Sequence, residues 1–218
     1  MKIVNQSVEI LTSTSYPDAL EIVETAGRTC YKSDTKGTIE GSEKFIRGII
    51  KSGHESVIEH FNISVKFITD RGISHEIVRH RIASYSQESS RYCNYSKDKF
   101  GNEITFINPN LEEGSASFEI WKEACENAEK SYLDLINSGL SPDVARSVLP
   151  TCTKTEIICT MNAREWRHFI KLRKDKAAHF EIRELSEALL EQLCVKYPVF
   201  FKDLAWKSTT HHLKSSDF

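Results

Sequence analysis

Apolar and polar residues alternate strictly from Phe61 to Phe67, which is the pattern of a β-strand with one buried face. A further strand is predicted from about Val4 to Leu11, and the β-branched residues of the segment from Thr151 to Thr160 predict another. Helical segments separate these strands without regular alternation. The pattern therefore predicts an α+β fold, a mixed single domain with a sheet and several long helices.

Helices are predicted where apolar residues recur roughly every three to four positions behind a capping residue or proline. The predicted helices cover about Pro17–Thr29, Ser42–Ile50, Ile73–Arg81, Ser117–Asn137, a short segment opened by Ser141-Pro142, Asn162–Lys174 and Ala178–Val195. The segment from Ser33 to Ser42 is predicted to be a loop. No repeat or low-complexity linker divides the sequence, so residues 1–218 are predicted to form one domain.

Composition narrows the possible functions. The 29 Lys and Arg residues and 31 Asp and Glu residues leave a net charge of −2, which argues against a surface built for nucleic acid. No segment approaches the roughly 18 apolar residues of a membrane span, and polar residues interrupt the N-terminus where a signal peptide would be apolar, so a cytoplasmic location is expected. The six cysteines include no Cys-x-x-Cys pair, which favours neither a zinc ribbon nor a disulfide framework.

The densest polar run extends from Arg79 to Tyr92 and contains three arginines, one histidine and four serines. Guanidinium groups offer a planar fork of donors that matches phosphate, and hydroxyls add short hydrogen bonds. The run therefore indicates an anion site. A solvated basic turn is the alternative that these residues alone leave open.

The order Arg79-His80-Arg81, seven residues, Ser89 and then Arg91 resembles the signature of the flavin-dependent thymidylate synthases. Other blocks similar to that family follow its order along most of the chain: Arg28-Thr29-Cys30-Tyr31, Gly53-His54-Glu55-Ser56 with Glu59-His60, Ala145-Arg146 with Leu149-Pro150, Asn162-Ala163-Arg164, and Leu172-Arg173 ahead of Glu181-Ile182.

The resemblance implies a homotetramer with shared active sites that binds FAD between subunits. It implies methylation of dUMP to dTMP, with methylene-tetrahydrofolate as carbon donor and NADPH as reductant. The implied flavin contacts are Ser56, Arg79, His80, Arg81, Gln87, Asn162, Arg164 and His168. The implied dUMP contacts are Glu76, Arg79, Gln87, Glu88, Ser89, Ser90, Arg91, Arg146 and Arg173.

Three positions depart from the family pattern. Many relatives have Asn where this chain has Ser86 and Glu where it has Gln87, so the hydrogen bonds of this turn differ from theirs in detail. His168 stands where some relatives have a flavin-contacting Asn.

The arginines of these blocks lie in apolar or structured segments, and we expect them to be buried against anionic partners. At about 100° per residue, Trp166, Phe169 and Arg173 share one face of their predicted helix, while Arg164 and His168 share the other. The apolar face should direct Arg173 into the interior or a subunit interface. We hypothesise that the two faces serve different ligands, or one pocket from different chains.

The resemblance implies hydride transfer from reduced flavin, with the uracil ring activated by electrostatics instead of by a cysteine thiolate. Arg173 is predicted to be that activator, and no cysteine has an activating sequence context, although Cys93 lies nearest the motif.

His54 is predicted to order solvent or assist proton transfer; capping the turn after Gly53 is its structural alternative. Ser89 is predicted to bind phosphate, because nothing resembles a serine-nucleophile arrangement.

Other functions fit less well. The histidine–glutamate pairs lack metalloprotease spacing, since Ile58 is four residues after His54, and no metal is expected. No Gly-x-Gly is present, so the dinucleotide fingerprint is missing. An RNA- or nucleotide-binding module that stacks bases on Tyr85, Tyr92 and Tyr95 remains an alternative, as does a flavoprotein reductase without methyl transfer.

Overall fold

The computed structural model describes residues 1–35, 37–98 and 101–212. The strands are β1 (Lys2–Val4), β2 (Ser7–Ile10), β3 (Asn62–Asp70), β4 (Ser84–Gln87), β5 (Thr105–Ile107) and β6 (Lys154–Asn162). The α-helices are α1 (Tyr16–Tyr31), α2 (Ile39–Lys51), α3 (Arg71–Ile77), α4 (Ala116–Asn137), α5 (Pro142–Ala145), α6 (Ala163–Arg173), α7 (Phe180–Lys196) and α8 (Pro198–His212). Short 3-10 helices span Glu55–His60 and Arg146–Val148.

The strands form two sheets. In one, β1 pairs in parallel with β5, so that Lys2 lies opposite Thr105 and Val4 opposite Ile107. The other has the order β2-β3-β6-β4. Along β3 and β6, buried positions alternate with more accessible ones over most of their length, as expected for strands with one covered face. The mixed helix and sheet composition confirms the predicted α+β class.

Backbone proximity divides the chain into two compact units. The first unit comprises residues 1–7, 67–79 and 85–158, and the second comprises residues 8–66, 80–84 and the chain from residue 159 onward. Strands β3 and β6 contribute residues to both units. The single-domain organisation over residues 1–218 stays a prediction.

Each unit has its own buried apolar side chains. In the first unit, Tyr95, Ile104, Phe106, Cys125 and Tyr132 form one buried cluster. In the second unit the indole of Trp166 is fully buried, and its N–H donates to the Ile63 carbonyl at 2.9 Å. The ring of Phe61 packs edge-on against Tyr197, with centroids 4.9 Å apart. Each such burial contributes about 1.5–3 kcal/mol, so these residues fix the elements that carry the polar sites.

Helix boundaries follow local capping chemistry. The prediction that Ser42 caps the second helix is wrong: α2 begins earlier, because Thr38 accepts the Gly41 N–H at 3.1 Å, while Ser42 lies buried inside the helix. The predicted helix from Ile73 to Arg81 starts and ends sooner, since Asp70 caps its first turn and it closes at Ile77. The polar run from Arg79 to Tyr92 contains strand β4, which the sequence analysis did not predict.

Helix α8 was not predicted, and the apolar residues Phe200, Phe201 and Leu204 bury its first half. Pro198 stands at its first position, where the missing N–H costs nothing. Residues 33–35 and Gly37 are irregular, as expected for the predicted loop, but the residues from Ile39 to Ser42 belong to α2. Every helix that the structure describes is too short or too polar to cross a membrane.

Candidate functional site

The turn after β4 is fixed by main-chain hydrogen bonds. The Glu88 amide donates to the Glu156 carbonyl of β6 at 2.8 Å. The Ser89 carbonyl then accepts the amides of Tyr92 and Cys93 at 3.1 and 2.9 Å, and the Ser89 hydroxyl accepts the Arg91 amide at 3.3 Å. The sheet therefore positions the serine-rich turn that sequence analysis singled out.

Four residues of the first unit, Ser89, Ser90, Arg91 and Arg146, form what we call the serine–arginine cluster. Arg146 follows α5, and its guanidinium donates to the buried Ser90 hydroxyl at 3.1 Å. The pKa of Asp143 is lowered, first by a hydrogen bond from Ser141 and further by the positive charges of Arg91 and Arg146, so both guanidinium groups lie near that carboxylate. The Ser90 hydroxyl and the Arg146 guanidinium thus meet from two distant segments, and such a combination of groups suits an anion.

The side chains of Gln87 and Glu88 have partners inside the first unit. The Gln87 amide donates to the hydroxyls of Ser74 and Thr155 at 2.9 and 3.2 Å. The Glu88 carboxylate accepts Tyr95 at 2.6 Å and Lys154 at 3.1 Å. The pKa of Tyr95 is raised by burial and by this carboxylate. The ligand contacts implied for Gln87 and Glu88 stay predictions.

The second unit contains a group of four residues, His80, Glu165, His168 and Arg173, that we call the histidine cluster. His80 is 4 % exposed, and its ring centroid lies 4.7 Å from that of Phe169. Its Nδ1 lies 2.9 Å from a Glu165 oxygen, and Arg173 Nε donates to its Nε2 at 3.2 Å. The pKa of His80 is lowered by burial and by the charges of Arg173 and His168, while Glu165 opposes this. The imidazole therefore joins a carboxylate to a guanidinium.

The same group has donors that could hold a metal ion, because atoms of His80, Glu165 and His168 lie within 4.8 Å of one another. Both His80 nitrogens already have hydrogen-bond partners, however. A cation bound at Nε2 would displace Arg173 and stand beside its positive charge, which is unfavourable. This physical argument favours a hydrogen-bonded relay over a metal centre.

Helix α6 separates its two faces as predicted. Trp166 and Phe169 are fully buried, and Arg173 is half-buried at the end of that face. Arg164 and His168 lie on the exposed face, where Arg164 donates to Glu59 at 2.6 Å. Asn162 caps the helix by accepting the Glu165 amide at 2.9 Å, so its predicted flavin contact would use the remaining side-chain amide.

His54 precedes the 3-10 helix Glu55–His60, and within the described residues its side chain makes no capping hydrogen bond. Its Nδ1 instead lies 3.4 Å from the Tyr31 hydroxyl. It borders a cleft of about 400 Å³ that is also lined by Arg28, Tyr31, Gly41, Lys44, Phe45, Gly48, Ile49 and Ser52. The exposed Ser56 follows two residues later. A capping role for His54 thus finds no hydrogen bond among the described residues, and its catalytic role stays a prediction.

The expectation that the motif arginines are buried is wrong for five of the six. Exposed arginines are Arg79, Arg81, Arg91, Arg146 and Arg164. They project from turns or from the wet face of a helix, where their charge keeps its hydration. Among the described residues, no carboxylate forms an ion pair with Arg79, Arg81 or Arg91.

The fully buried arginine is Arg167, which sequence analysis missed. Its guanidinium pairs with Asp203 at 2.7 Å and with Glu55 at 3.2 Å, and it donates to the Phe200 carbonyl. It thereby connects α6 and α8 to the 3-10 helix that follows His54. Glu165 was also missed, because a glutamate at the third helical position is an ordinary capping signal.

The remaining candidate groups differ in accessibility. Glu76 is half-buried on α3. Of the three tyrosines proposed for base stacking, Tyr95 is buried and Tyr85 is half-buried, with its hydroxyl donating to the Ile77 carbonyl at 2.9 Å. Tyr92 is 79 % exposed, and the Arg91 guanidinium lies 5.6 Å from its ring centroid. Cys93 is half-buried against the first unit's core. These placements weaken the RNA-binding alternative.

The two clusters group arginine, histidine and hydroxyl side chains on a mixed helix and sheet fold. The chain belongs to the family described as Thymidylate synthase complementing protein, whose sequence model matches residues 9–199. It is 37 % identical over 195 residues to the flavin-dependent thymidylate synthase of Geobacter sulfurreducens, covering 86 % of this chain and 82 % of that one. It is 35 % identical over 210 residues to the enzyme of that name from Mycolicibacterium vanbaalenii, covering 88 % and 82 %. These matches confirm the resemblance inferred from the motifs.

A solved structure supports the fold. The crystal structure of the UMP/dUMP methylase PolB from Streptomyces cacaoi, bound with 5-Br dUMP, superposes with a TM-score of 0.75. It shares 24 % identity and covers 93 % of this chain and 96 % of its own. At this identity the likeness establishes the shared fold.

Proposed function

We propose that this chain is a flavin-dependent thymidylate synthase that converts dUMP to dTMP by reductive methylation. The observation that carries the proposal is the hydrogen bond from Arg173 Nε to His80 Nε2 at 3.2 Å, which fixes the guanidinium at the end of α6. The opposite face of the same helix presents the exposed Arg164. Family membership supplies the reaction, and the clusters supply groups that suit a nucleotide monophosphate. Because the proposed product is dTMP, the enzyme would act in dTMP biosynthesis.

Arg173 is assigned to activation of the uracil ring. A guanidinium beside the pyrimidine stabilises negative charge on the ring as electron density moves to the carbon that takes the methyl group. Its Nε donates to His80, which fixes the direction of the guanidinium plane. Ring activation then requires no covalent attack by a thiol.

The serine–arginine cluster is assigned to phosphate binding. Arg146 is already held by Ser90, and Arg91 lies near the same Asp143 carboxylate. An incoming phosphate would accept hydrogen bonds from both guanidinium groups and from Ser89. Because the family resemblance implies active sites shared in a homotetramer, the residues that serve one nucleotide need not come from one chain.

The chain's residues fit a flavin. Arg79, Arg81 and Arg164 are exposed cations, and the first two have no carboxylate partner among the described residues, so their charge suits a phosphate-bearing cofactor. Ser56 and the Asn162 amide add hydrogen-bonding groups. When bound, FAD supplies the hydride that completes the methyl group.

We further infer that NADPH is the reductant, that methylene-tetrahydrofolate donates the carbon, and that the enzyme works in the cytoplasm.

His54 is assigned to solvent ordering or proton transfer. It is exposed, it borders the 400 Å³ cleft, and Tyr31 supports its ring. An exposed imidazole offers one ring nitrogen as a donor and the other as an acceptor, which suits either task. We retain His54 and Arg173 as the catalytic assignments.

The purified protein provides the test. A yellow protein that bleaches with NADPH, reoxidises in air and releases tritium from dUMP labelled at the methylated carbon only when methylene-tetrahydrofolate is present would support the assignment. Bleaching without folate-dependent tritium release would indicate a flavin reductase. A colourless protein with salt-sensitive RNA affinity would indicate the binding module. Loss of dTMP formation on replacing Cys93 alone would refute the assignment of ring activation to Arg173.

A further inference from the structure

Glu165 uses its carboxylate in an unexpected way. It is the third residue of α6, and with the Asn162 cap it forms the pattern in which a glutamate reaches back to the start of its helix. Its oxygen instead lies 2.9 Å from Nδ1 of His80, and its side chain is 13 % exposed. A helix-capping role therefore does not account for this contact.

The partners of His80 select one tautomer. A guanidinium has donors only, so the contact from Arg173 Nε requires an unprotonated Nε2. The single proton of the neutral ring then lies on Nδ1 and is donated to Glu165. Exchange of the two nitrogens' roles would set a ring N–H against the N–H of Arg173. The carboxylate thus favours the tautomer that can hold the arginine.

The surroundings of His80 reinforce this arrangement. Phe169 packs on its ring, and the charged or titratable groups that act on it are Glu165, Arg173 and His168. Burial, Arg173 and His168 lower the pKa of His80, whereas Glu165 raises it. The ring is therefore neutral near pH 7 and can accept a hydrogen bond from Arg173.

We propose that Glu165 is a positioning residue, which holds His80 as the Nδ1–H tautomer and through it orients the Arg173 guanidinium. The consequence for catalysis rests on the proposed function, in which Arg173 activates uracil. The hydrogen-bond relay itself does not depend on that function.

The test compares Glu165→Gln with Glu165→Asp and with the control Glu43→Gln. A glutamine can offer either an acceptor or a donor to Nδ1, so it no longer selects the tautomer. We expect kcat for dTMP formation to fall at least about tenfold in Glu165→Gln, with a smaller change in KM for dUMP. Glu165→Asp keeps the negative charge on a shorter side chain, so its kcat should lie between those of the wild type and Glu165→Gln. Glu43 belongs to neither cluster; it pairs with Arg47 at 3.0 Å and accepts the Tyr16 hydroxyl at 2.6 Å. Because glutamine keeps an acceptor for Tyr16, Glu43→Gln should leave kcat close to the wild-type value.

Two further measurements separate positioning from a merely structural role. Loss of the carboxylate lowers the pKa of His80, so the acid limb of the kcat–pH profile should move to lower pH in Glu165→Gln. In flavin-loaded protein labelled with nitrogen-15 at histidine, NMR should show a protonated Nδ1 on His80 in the wild type and a mixed or reversed tautomer in the variant.

An unchanged tautomer and an unchanged titration of His80 would overturn the proposal, whatever the activity. A wild-type protein that forms no dTMP would overturn the proposed function, while the NMR result would still decide the relay. Should Glu165→Gln fail to fold, Glu165→Asp and Glu165→Ala would replace it. The relay would be contradicted if both variants kept the wild-type kcat and the wild-type titration of His80.

Discussion

The serine–arginine cluster and the histidine cluster both contain arginine, but they present it differently. Arg91 lies in a turn and Arg146 begins a short 3-10 helix, and both are exposed, so water and salt can reach them. Arg173 is half-buried and rests on a buried imidazole that is itself held by a carboxylate. An exposed arginine gains from attracting an anion out of solution, whereas a supported arginine gains from being fixed before the ligand arrives. We therefore expect the exposed arginines to act in binding and the supported Arg173 to act in activation.

The largest expected effect is on Arg173. Arg173→Lys keeps a positive charge but loses the planar fork and the contact with His80. We expect kcat for dTMP formation to fall on the order of 100-fold or more, with a smaller rise in KM for dUMP. Steady-state kinetics by tritium release measures both. If KM alone changed, Arg173 would belong with the binding residues, and the comparison would fail.

Arg146→Ala is expected to act on dUMP affinity. It removes a charged donor to phosphate and leaves the buried Ser90 hydroxyl without this partner. Hydrogen bonds to charged groups are worth about 1.5–3 kcal/mol, so KM for dUMP should rise roughly 10- to 100-fold, with kcat nearly unchanged. The dUMP affinity of the wild type should also fall with added salt. A large fall in kcat would place Arg146 in the activating group.

Arg164→Ala tests the two faces of α6. Arg164 is exposed and faces away from the buried stripe that ends in Arg173. We expect flavin affinity to fall several-fold, in the range of charged surface contacts, with little change in dUMP binding. Flavin content by absorbance and dUMP binding by calorimetry give the two values. Equal losses for both ligands would refute the division of the faces.

Ser89→Ala should have a smaller effect. Its hydroxyl accepts the Arg91 amide at 3.3 Å and offers one neutral hydrogen bond to phosphate. Loss of such a bond costs about 0.5–1.5 kcal/mol, so dUMP affinity should fall roughly 2- to 10-fold and turnover should persist. Complete loss of turnover with normal dUMP binding would identify Ser89 as a reacting group.

The smallest expected effect concerns stability. The pKa of His80 is lowered in the folded chain, so as the pH falls below the ordinary histidine pKa of about 6.5 the unfolded chain takes up a proton first. This contribution to the free energy of unfolding is therefore intact above pH 6.5 and declines below it. Urea unfolding at pH 7.5 and 5.5 should show a smaller pH-dependent loss for His80→Gln than for wild type. An identical loss would show that His80 titrates normally.

Much of the fold could be predicted from local patterns. The alternation from Phe61 to Phe67 identified β3, and Asn162 identified the start of α6, because each signal acts over a few neighbouring residues. The cap of α2 was misplaced because Thr38 and Ser42 are both good capping residues, and packing against Glu24, which accepts the Ser42 hydroxyl at 2.5 Å, decided between them. Tertiary partners of this kind leave no mark in a short window of sequence.

The candidate site was predictable in its membership more than in its contacts. The motif identified His80 and Arg173, but 93 residues separate them, and nothing local showed that their side chains meet. Burial of the arginines was misjudged for the same reason: Arg167 is buried because Asp203 and Glu55 neutralise it, and both partners are remote in sequence. Ion pairs across the fold decide which charge can leave water.

Strand β6 ends at Asn162 and α6 begins at Ala163, with no connecting loop between them. A single residue inserted at this junction would turn the helix by about 100° and advance it by about 1.5 Å. Trp166 would then leave its buried position, and Arg173 would lose its hydrogen bond to His80. The junction fixes the rotation of α6 relative to β6, so insertions should be tolerated in exposed loops and excluded here.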